Sequence, residues 1–242
     1  MIHQKKIREF RHLSYNAYAI GIDHHIVMLD FSSDRYFNFS YDDSQAFRKL
    51  IGWPYQDDIS PEVLATVEAR LDGKCLFAPE KFCEPTTLTS GQDVTGLLPF
   101  NDWLALADDV SYASRPLDVL RAIYWLHRAQ RVTRLFRMRG AIESVLQAQA
   151  AKGIRYGTPE DYRPYFAAMY RAALIYPQCS PCLPWHTALA TWCAMDGLHL
   201  RLAIGVQRQP FTAHAWTENR ERVIGDDERR RSQLAVIFET PA

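Results

Sequence analysis

The sequence of 242 residues predicts an α+β fold in two parts, and two patterns support this prediction. Strand signals precede helix signals in the N-terminal part, whereas helical segments precede several short strand signals in the C-terminal part. Helices followed by strands with hairpin-length connections are typical of an α+β domain with an antiparallel sheet. Hydrophobic residues make up 48% of the chain and charged residues 23%, which excludes disorder as the dominant state.

The N-terminal part begins with strand-forming residues over 13–40. Residues 25–31 form a largely apolar run, and residues 32–34 form a polar turn cluster. The run that follows is Tyr36-Phe37-Asn38-Phe39, and aromatic residues favour strands. The two runs and their short connection predict a β-hairpin.

Two helices are predicted after the hairpin. Residues 44–51 carry apolar side chains at helical spacing. Ser60 followed by Pro61 is typical of an N-cap and a first helical position, and this second helix is expected to end before Gly73. Strands followed by two helices predict a small winged-helix-like unit over residues 1–84.

The composition changes after this unit. Residues 85–114 are rich in Pro, Gly, Thr and Ser and are predicted to be a linker. A second domain is therefore expected over residues 115–242. Its predicted helices cover residues 116–151 with a break at Gly140, residues 159–175 and residues 181–195. Its predicted strands cover residues 200–206, 213–218, 222–224 and 234–238.

The positive charge comes mainly from arginine, with 22 Arg and 6 Lys. Seven arginines mark the first half of the predicted helix over 116–151, namely Arg115, Arg121, Arg128, Arg131, Arg134, Arg137 and Arg139. A run of charges on an amphipathic helix is usually a solvated face, and we favour that interpretation. The alternative is a docking surface for an acidic partner, because arginine makes bidentate contacts with carboxylates.

The composition also bounds the partners and the compartment. Lys+Arg and Asp+Glu both total 28, so the balanced charge does not predict a nucleic-acid or membrane-surface binder. No apolar run approaches the ~18–20 residues of a membrane span, and no secretory signal is visible. The five cysteines do not predict a disulfide scaffold, so a reducing compartment and a cytoplasmic location are expected. No Gly-rich phosphate loop is visible, so we expect no directly bound cofactor.

Three residues of the C-terminal part predict nucleophilic catalysis. Cys182 lies at the start of a predicted helix, where the positive end of the helix dipole favours a thiolate. His214 lies on a predicted strand, a rigid position that suits a general base. Asp226 follows the next strand, where its carboxylate can hold the imidazole tautomer. The order Cys, His, Asp is typical of papain-like and transglutaminase-like enzymes, in which a thiolate attacks an acyl carbon.

Two acidic residues compete with Asp226 for the orienting role, namely Asp227 and Glu228. We assign Asp226 rather than Asp227 because neighbours on a strand point to opposite faces.

Cys182 and His214, taken singly, also have a structural interpretation. A lone Cys near an apolar helix is more often a small buried hydrophobe, and His214 can be a satisfied core residue.

The same region resembles a known family. The resemblance rests on the strings Cys182-Leu183-Pro184, Thr187-Ala188-Leu189-Ala190, Ala203-Ile204-Gly205-Val206 and Pro210-Phe211-Thr212-Ala213-His214-Ala215-Trp216-Thr217-Glu218, and on Asp226. They are similar to the lasso-peptide biosynthesis B protein, a transglutaminase-like cysteine protease that removes the leader from a precursor peptide. The resemblance covers residues 155–240 and implies a triad of Cys182, His214 and Asp226.

The N-terminal part resembles a second module. Residues 27–37 look like the peptide-recognition element, related to the quinone-cofactor chaperone fold, to whose sheet edge a leader peptide adds as a strand. The resemblance implies that Tyr36, Phe37, Asn38 and Phe39 bind the leader. It also implies two partners, a lasso precursor peptide and an asparagine-synthetase-like lasso cyclase, through which any ATP dependence would enter.

Other interpretations stay open at this point. Cys179 and Cys182 form a CxxC pair, but a structural zinc site usually needs a second pair and a thioredoxin-like site needs a βαβ context. If an amine replaced water in the second half-reaction, the same triad would form amides, as in transglutaminases and acyltransferases. A chain with an inactive triad would be a leader-binding adaptor.

Overall fold

The computed structural model describes residues 11–56, 58–78, 114–150, 153–176, 181–220 and 222–241. The chain divides into two compact units, Met1–Gln92 and Asp93–Ala242. The predicted linker lies outside the described residues except for Ser114, and the predicted domain limits stay a prediction. Within the described ranges, no helix has the length and apolar character that a membrane span requires.

The first unit contains a three-stranded antiparallel sheet followed by two helices. Its strands are β1 (Ala17–Ile22), β2 (His25–Asp30) and β3 (Arg35–Asn38), in the order β1-β2-β3. Its helices are α1 (Tyr41–Ile51) and α2 (Pro61–Asp72). The predicted hairpin corresponds to β2 and β3, and the predicted winged-helix relationship of this unit stays a prediction.

Serine caps fix the start of both helices. The Ser60 hydroxyl accepts a hydrogen bond from the Val63 N–H at 3.3 Å, as the sequence predicts for an N-cap. The Ser40 hydroxyl accepts one from the Asp43 N–H at 3.2 Å. Helix α1 therefore begins three residues before the predicted start at Ser44, because the prediction followed the apolar spacing and missed this cap.

The second unit contributes three long helices and a four-stranded antiparallel sheet. The helices are α3 (Pro116–Ala150), α4 (Pro159–Ile175) and α5 (Cys182–Met195). The strands are β4 (Arg201–Gln207), β5 (Thr212–Asn219), β6 (Arg222–Ile224) and β7 (Ala235–Glu239), in the order β6-β5-β4-β7. A short helix α6 (Arg230–Gln233), which the sequence analysis did not predict, lies between β6 and β7. The predicted combination of helices and antiparallel sheet is confirmed.

The break in α3 lies at Arg137, so the predicted break at Gly140 is wrong. Arg137 has a backbone φ of 56° and ψ of −151°, which interrupts the helical geometry. Gly140 is instead buried, and a Cβ atom on it would lie 2.4 Å from the Cβ of Phe136. Phe136 precedes the interrupting Arg137, so glycine is required at position 140 because the interruption brings the chain close to itself.

The arginine run of α3 is exposed. All seven residues from Arg115 to Arg139 that were predicted to form a solvated face have exposed side chains. Arg139 donates to Glu143 one turn later at 2.7 Å. Exposure is expected of a solvated face and of a docking surface alike, so both interpretations stay predictions.

Close packing on the sheet depends on Gly205. Trp216 of β5 is fully buried, and a Cβ atom on Gly205 would lie 2.6 Å from the Trp216 ring and 2.8 Å from the Cβ of Leu234. Such distances are far below van der Waals contact. The tryptophan ring can therefore lie across β4 only because β4 has no side chain at this position.

We expect Gly205→Ala to lower the free energy of unfolding by about 1–3 kcal/mol, because overpacking displaces the Trp216 ring. Urea unfolding of the full chain, followed by tryptophan fluorescence, measures the change. Gly153→Ala is the matched control, since a Cβ atom on Gly153 meets no described atom within 4 Å. Equal unfolding midpoints for the two variants would contradict the packing argument.

Candidate active site

The thiol of Cys182 lies at the N-terminus of α5, with Pro181 at the N-cap position. Burial alone would raise the pKa of this thiol, but a hydrogen bond and the charge of His214, together with the backbone N–H groups of Ala215 and Leu183, hold the pKa below its ordinary value. The arrangement therefore favours the thiolate, which is the nucleophilic form of cysteine.

The imidazole of His214 links the thiol to a carboxylate. Nε2 of His214 lies 2.6 Å from Oδ2 of Asp226, so Nδ1 is the ring nitrogen left for Cys182. Burial alone would lower the pKa of His214, but the hydrogen bonds to Asp226 and Cys182 raise it to about 9. The lowered thiol pKa and the raised imidazole pKa both favour a thiolate–imidazolium pair.

The carboxylate of Asp226 is fully buried beneath this pair. Burial would raise its pKa, but the hydrogen bond from His214 and the adjacent His186 imidazole hold the pKa far below its ordinary value. The backbone N–H of Asp227 also donates to Oδ1 at 2.7 Å. Asp226 is therefore ionised at neutral pH and orients the imidazole through Nε2.

A left-handed glycine places this carboxylate. Strand β6 ends at Ile224, and Gly225 has a φ of 75°, a conformation that favours glycine. A Cβ atom on Gly225 would also lie 2.9 Å from the ring of Phe166. The predicted reason for choosing Asp226 over Asp227, alternation along a strand, is therefore wrong, because the turn at Gly225 directs the side chain.

The two competing acidic residues point elsewhere. Asp227 accepts from Arg229 at 2.8 Å, and Glu228 accepts from Arg222 at 2.9 Å. Both of these ion pairs involve exposed arginines. Of the three acidic residues at 226–228, Asp226 is the one that contacts His214.

Two residues that the sequence analysis missed also contact Asp226. Nε2 of His186 lies 3.4 Å from Oδ2, and Nη2 of Arg230 lies 2.6 Å from Oδ1. His186 follows Cys182 by four residues in α5, and Arg230 follows Asp226 by four residues at the start of α6. His186 is one helical turn from Cys182 but contacts Asp226 in another element, and Asp226 lies before the start of α6, so helical spacing pointed to neither contact.

The donor atoms of His186, His214 and Asp226 lie within 4.8 Å of one another, and imidazole with carboxylate is a donor set that zinc accepts. Here, however, Oδ1 of Asp226 already binds a guanidinium cation, and Nε2 of His214 donates to Oδ2. The carboxylate is thus neutralised by Arg230, so these residues do not fit a metal ion.

The CxxC pair is described only at Cys182, because Cys179 lies outside the described residues. The cysteines that the structure describes are free, with Cys75 exposed and Cys193 buried. Burial raises the pKa of the Cys193 thiol well above its ordinary value. Of these thiols, Cys182 is the one with a hydrogen-bonded base beside it.

The four residues predicted to bind a leader peptide lie at the edge strand of the first unit. Phe39 follows β3, its ring is buried in the core, and its N–H donates to the Ile26 carbonyl at 3.0 Å. Since hydrogen-bonded pairs alternate along an antiparallel ladder, Phe37 also faces β2. The N–H and C=O groups of Tyr36 and Asn38 therefore point away from β2, at the edge of the sheet that the described residues form.

Residues 121–239 match the family model described as the transglutaminase-like superfamily. The chain therefore contains a transglutaminase-like domain, and the matched range includes Cys182, His214 and Asp226. Enzymes of this superfamily use a Cys-His-Asp site, and the superfamily commonly includes cysteine peptidases and acyltransferases. Comparison with the curated proteins and with the solved structures gave no match to this chain.

The geometry predicts different effects of neighbouring aspartates on the thiol. Asp226→Asn removes the carboxylate that favours the imidazolium, so the pKa of His214 falls and that of Cys182 rises. Alkylation of Cys182 by iodoacetamide at about pH 6 should then slow by about tenfold or more. Asp227→Asn should leave the rate near that of the wild type.

Mass spectrometry of the Cys182 peptide separates this reaction from alkylation of the other four cysteines. A larger slowing in Asp227→Asn than in Asp226→Asn would reverse the assignment of the orienting carboxylate.

Proposed function

We propose that the chain is a cysteine protease that binds the leader of a lasso-peptide precursor and removes it. The observation that carries the catalytic part is the hydrogen-bonded series from Cys182 through His214 to Asp226, with a lowered thiol pKa and a raised imidazole pKa. The resemblance of residues 155–240 to the lasso-peptide B protein supports the substrate class. The match to the transglutaminase-like superfamily is consistent with the chemistry.

In the proposed acylation step, the Cys182 thiolate attacks the carbonyl carbon of the scissile peptide bond and forms a C–S bond. The first N–H groups of a helix lack intrahelical acceptors, so the Cys182 N–H at the start of α5 can donate to the oxyanion. As the C–N bond breaks, the His214 imidazolium gives its proton to the leaving amine.

In the proposed second step, water resolves the thioester. Neutral His214 takes a proton from water, the oxygen attacks the acyl carbon, and the C–S bond breaks. The products are a carboxylic acid on the leader fragment, which releases its proton to the solvent, and the restored thiolate–imidazolium pair. Asp226 stays ionised throughout and holds Nε2 of the imidazole, so that Nδ1 faces the reacting atoms.

Leader recognition is proposed for the first unit. An extended peptide can pair with the outward N–H and C=O groups of Tyr36 and Asn38, while the rings of Phe37 and Phe39 pack toward the core of the unit. Backbone pairing of this kind provides affinity with little dependence on peptide side chains. The proposed partner is an asparagine-synthetase-like cyclase that uses ATP. We propose that the two proteins act together in the cytoplasm.

The superfamily supports a second candidate function, because it includes acyltransferases as well as peptidases. If an amine rather than water attacks the same thioester, the product is an amide. Mass spectrometry distinguishes the two outcomes, since a hydrolysed leader ends in a free carboxylate and a transferred leader carries the mass of the amine.

We expect Cys182→Ala to lower the rate of leader release by about 10³-fold or more, since no other described thiol has a base beside it. The assay follows a precursor peptide by mass spectrometry with the cyclase and ATP present. Cys179→Ser is the control and should leave most of the activity. Undiminished release by Cys182→Ala would end the proposal.

We expect Asn38→Pro to weaken leader binding by about tenfold, because proline removes an outward N–H without breaking a bond to β2. Fluorescence anisotropy of a labelled leader peptide, titrated with the full chain carrying Cys182→Ala, measures the affinity. Asn38→Ala keeps the N–H and serves as the matched control. Equal affinities of two folded variants would place recognition elsewhere.

A further inference from the structure

The Asp226 carboxylate receives more hydrogen bonds than an orienting role toward one imidazole requires. Oδ2 faces Nε2 of His214 at 2.6 Å and Nε2 of His186 at 3.4 Å. Oδ1 accepts from Nε of Arg230 at 2.7 Å and from the Asp227 N–H at 2.7 Å. Both oxygens are therefore occupied, and the carboxylate cannot rotate without breaking contacts on both sides.

Arg230 is the permanent cation among these donors. Its side chain is 3% exposed, and its Nη1 donates to Oε1 of Gln233 at 3.1 Å, so Gln233 helps to fix the guanidinium. A buried charge requires a partner, and arginine keeps its proton in proteins. Asp226 and Arg230 therefore form a permanent buried ion pair directly behind His214.

The charges that face His214 come from three places in the fold. Helix α5 contributes the Cys182 thiolate and His186, the loop after β6 contributes Asp226, and α6 contributes Arg230. Burial lowers the pKa of His186, so this ring is neutral at neutral pH. The charges of the Cys182 thiolate, the His214 imidazolium, the Asp226 carboxylate and the Arg230 guanidinium then sum to zero.

We infer that Arg230 is a positioning residue of the proposed catalytic site, which acts through Asp226 by balancing the charge of the carboxylate that holds His214. This inference rests on the proposed function. A carboxylate without Arg230 would carry an uncompensated negative charge behind the imidazole, and its oxygens would lose two of their donors.

The sign of the expected change follows from charge alone. Removal of a positive charge raises the pKa of every nearby group, so the pKa of His214 should rise above its value of about 9 in Arg230→Gln. We expect the pKa of His214 to rise by about one unit, because the Arg230 charge acts on the imidazole through a partly shielded site. A loss of orientation alone would have the opposite sign, because His214 would lose the contact with Asp226 that favours its protonated form.

The test is an NMR titration of the imidazole signals in the full chain with labelled histidine, with the His214 signal assigned from a His214→Gln variant. Arg229→Gln is the matched control, because Arg229 is the adjacent arginine and its side chain is exposed and paired with Asp227. We expect the pKa of His214 to rise in Arg230→Gln and to stay constant in Arg229→Gln. An unchanged or lowered pKa in Arg230→Gln would overturn the inference.

Arg230→Lys keeps the positive charge, so it provides a second test if Arg230→Gln does not fold. We expect Arg230→Lys to keep the pKa of His214 within about 0.3 of the wild-type value, while a rise as large as that of a neutral substitution would overturn the inference. In the leader-release assay, kcat should fall in Arg230→Gln at constant KM and recover in part in Arg230→Lys. A raised KM with constant kcat would contradict a positioning role.

The titration does not need a substrate, so the two proposals fail separately. Suppose that the His214 pKa rises in Arg230→Gln but the wild type releases no leader. The proposed function would then be refuted, whereas the coupling between Arg230 and His214 would stand. Normal leader release with an unaltered pKa in Arg230→Gln would refute the inference and keep the proposed function.

Discussion

The candidate active site of the second unit depends on a buried negative charge, the Asp226 carboxylate. A carboxylate without water is costly unless donors replace the lost hydration. The replacements come from His214 on β5, Arg230 on α6 and the backbone N–H of Asp227. Each of these elements must keep its place for the charge to remain satisfied. The carboxylate therefore couples the local geometry of the site to the packing of the whole unit.

The close packing around this charge explains why two glycines matter. Gly205 leaves room for Trp216, whose ring lies nearly parallel to the His214 ring at 6.4 Å between ring centroids. Gly225 turns the chain in the left-handed region so that Asp226 faces back toward β5. The Trp216 ring in turn donates from Nε1 to the buried Glu218 at 2.5 Å. Small residues thus create the space in which large and charged side chains are held in one arrangement.

The sequence predicted the elements with strong local signals and missed those that depend on tertiary contacts. The Ser60-Pro61 cap and the strand signals over residues 200–206 and 213–218 are local, and the structure has a helix and strands there. The four residues of α6 have no apolar periodicity, because this helix is fixed by the contact between Arg230 and Asp226. Sequence spacing brought Cys182, His214 and Asp226 together as candidates, but it carried no information on which histidine or arginine would be buried beside them.

The Asp226–Arg230 pair also bears on the proposed chemical cycle. In the resting state the thiolate, imidazolium, carboxylate and guanidinium sum to zero charge. In the acyl-enzyme the sulfur is neutral, His214 has given its proton to the leaving amine, and the carboxylate and guanidinium still cancel. The net charge of the buried site is thus the same before and after acylation, so the surrounding protein does not have to resolvate a new charge. With Asp226 alone, both states would bury a net negative charge that burial disfavours. The Asp226–Arg230 pair can therefore orient His214 in a site from which most of the water is excluded. A carboxylate without a paired cation would be better suited to a site that water reaches.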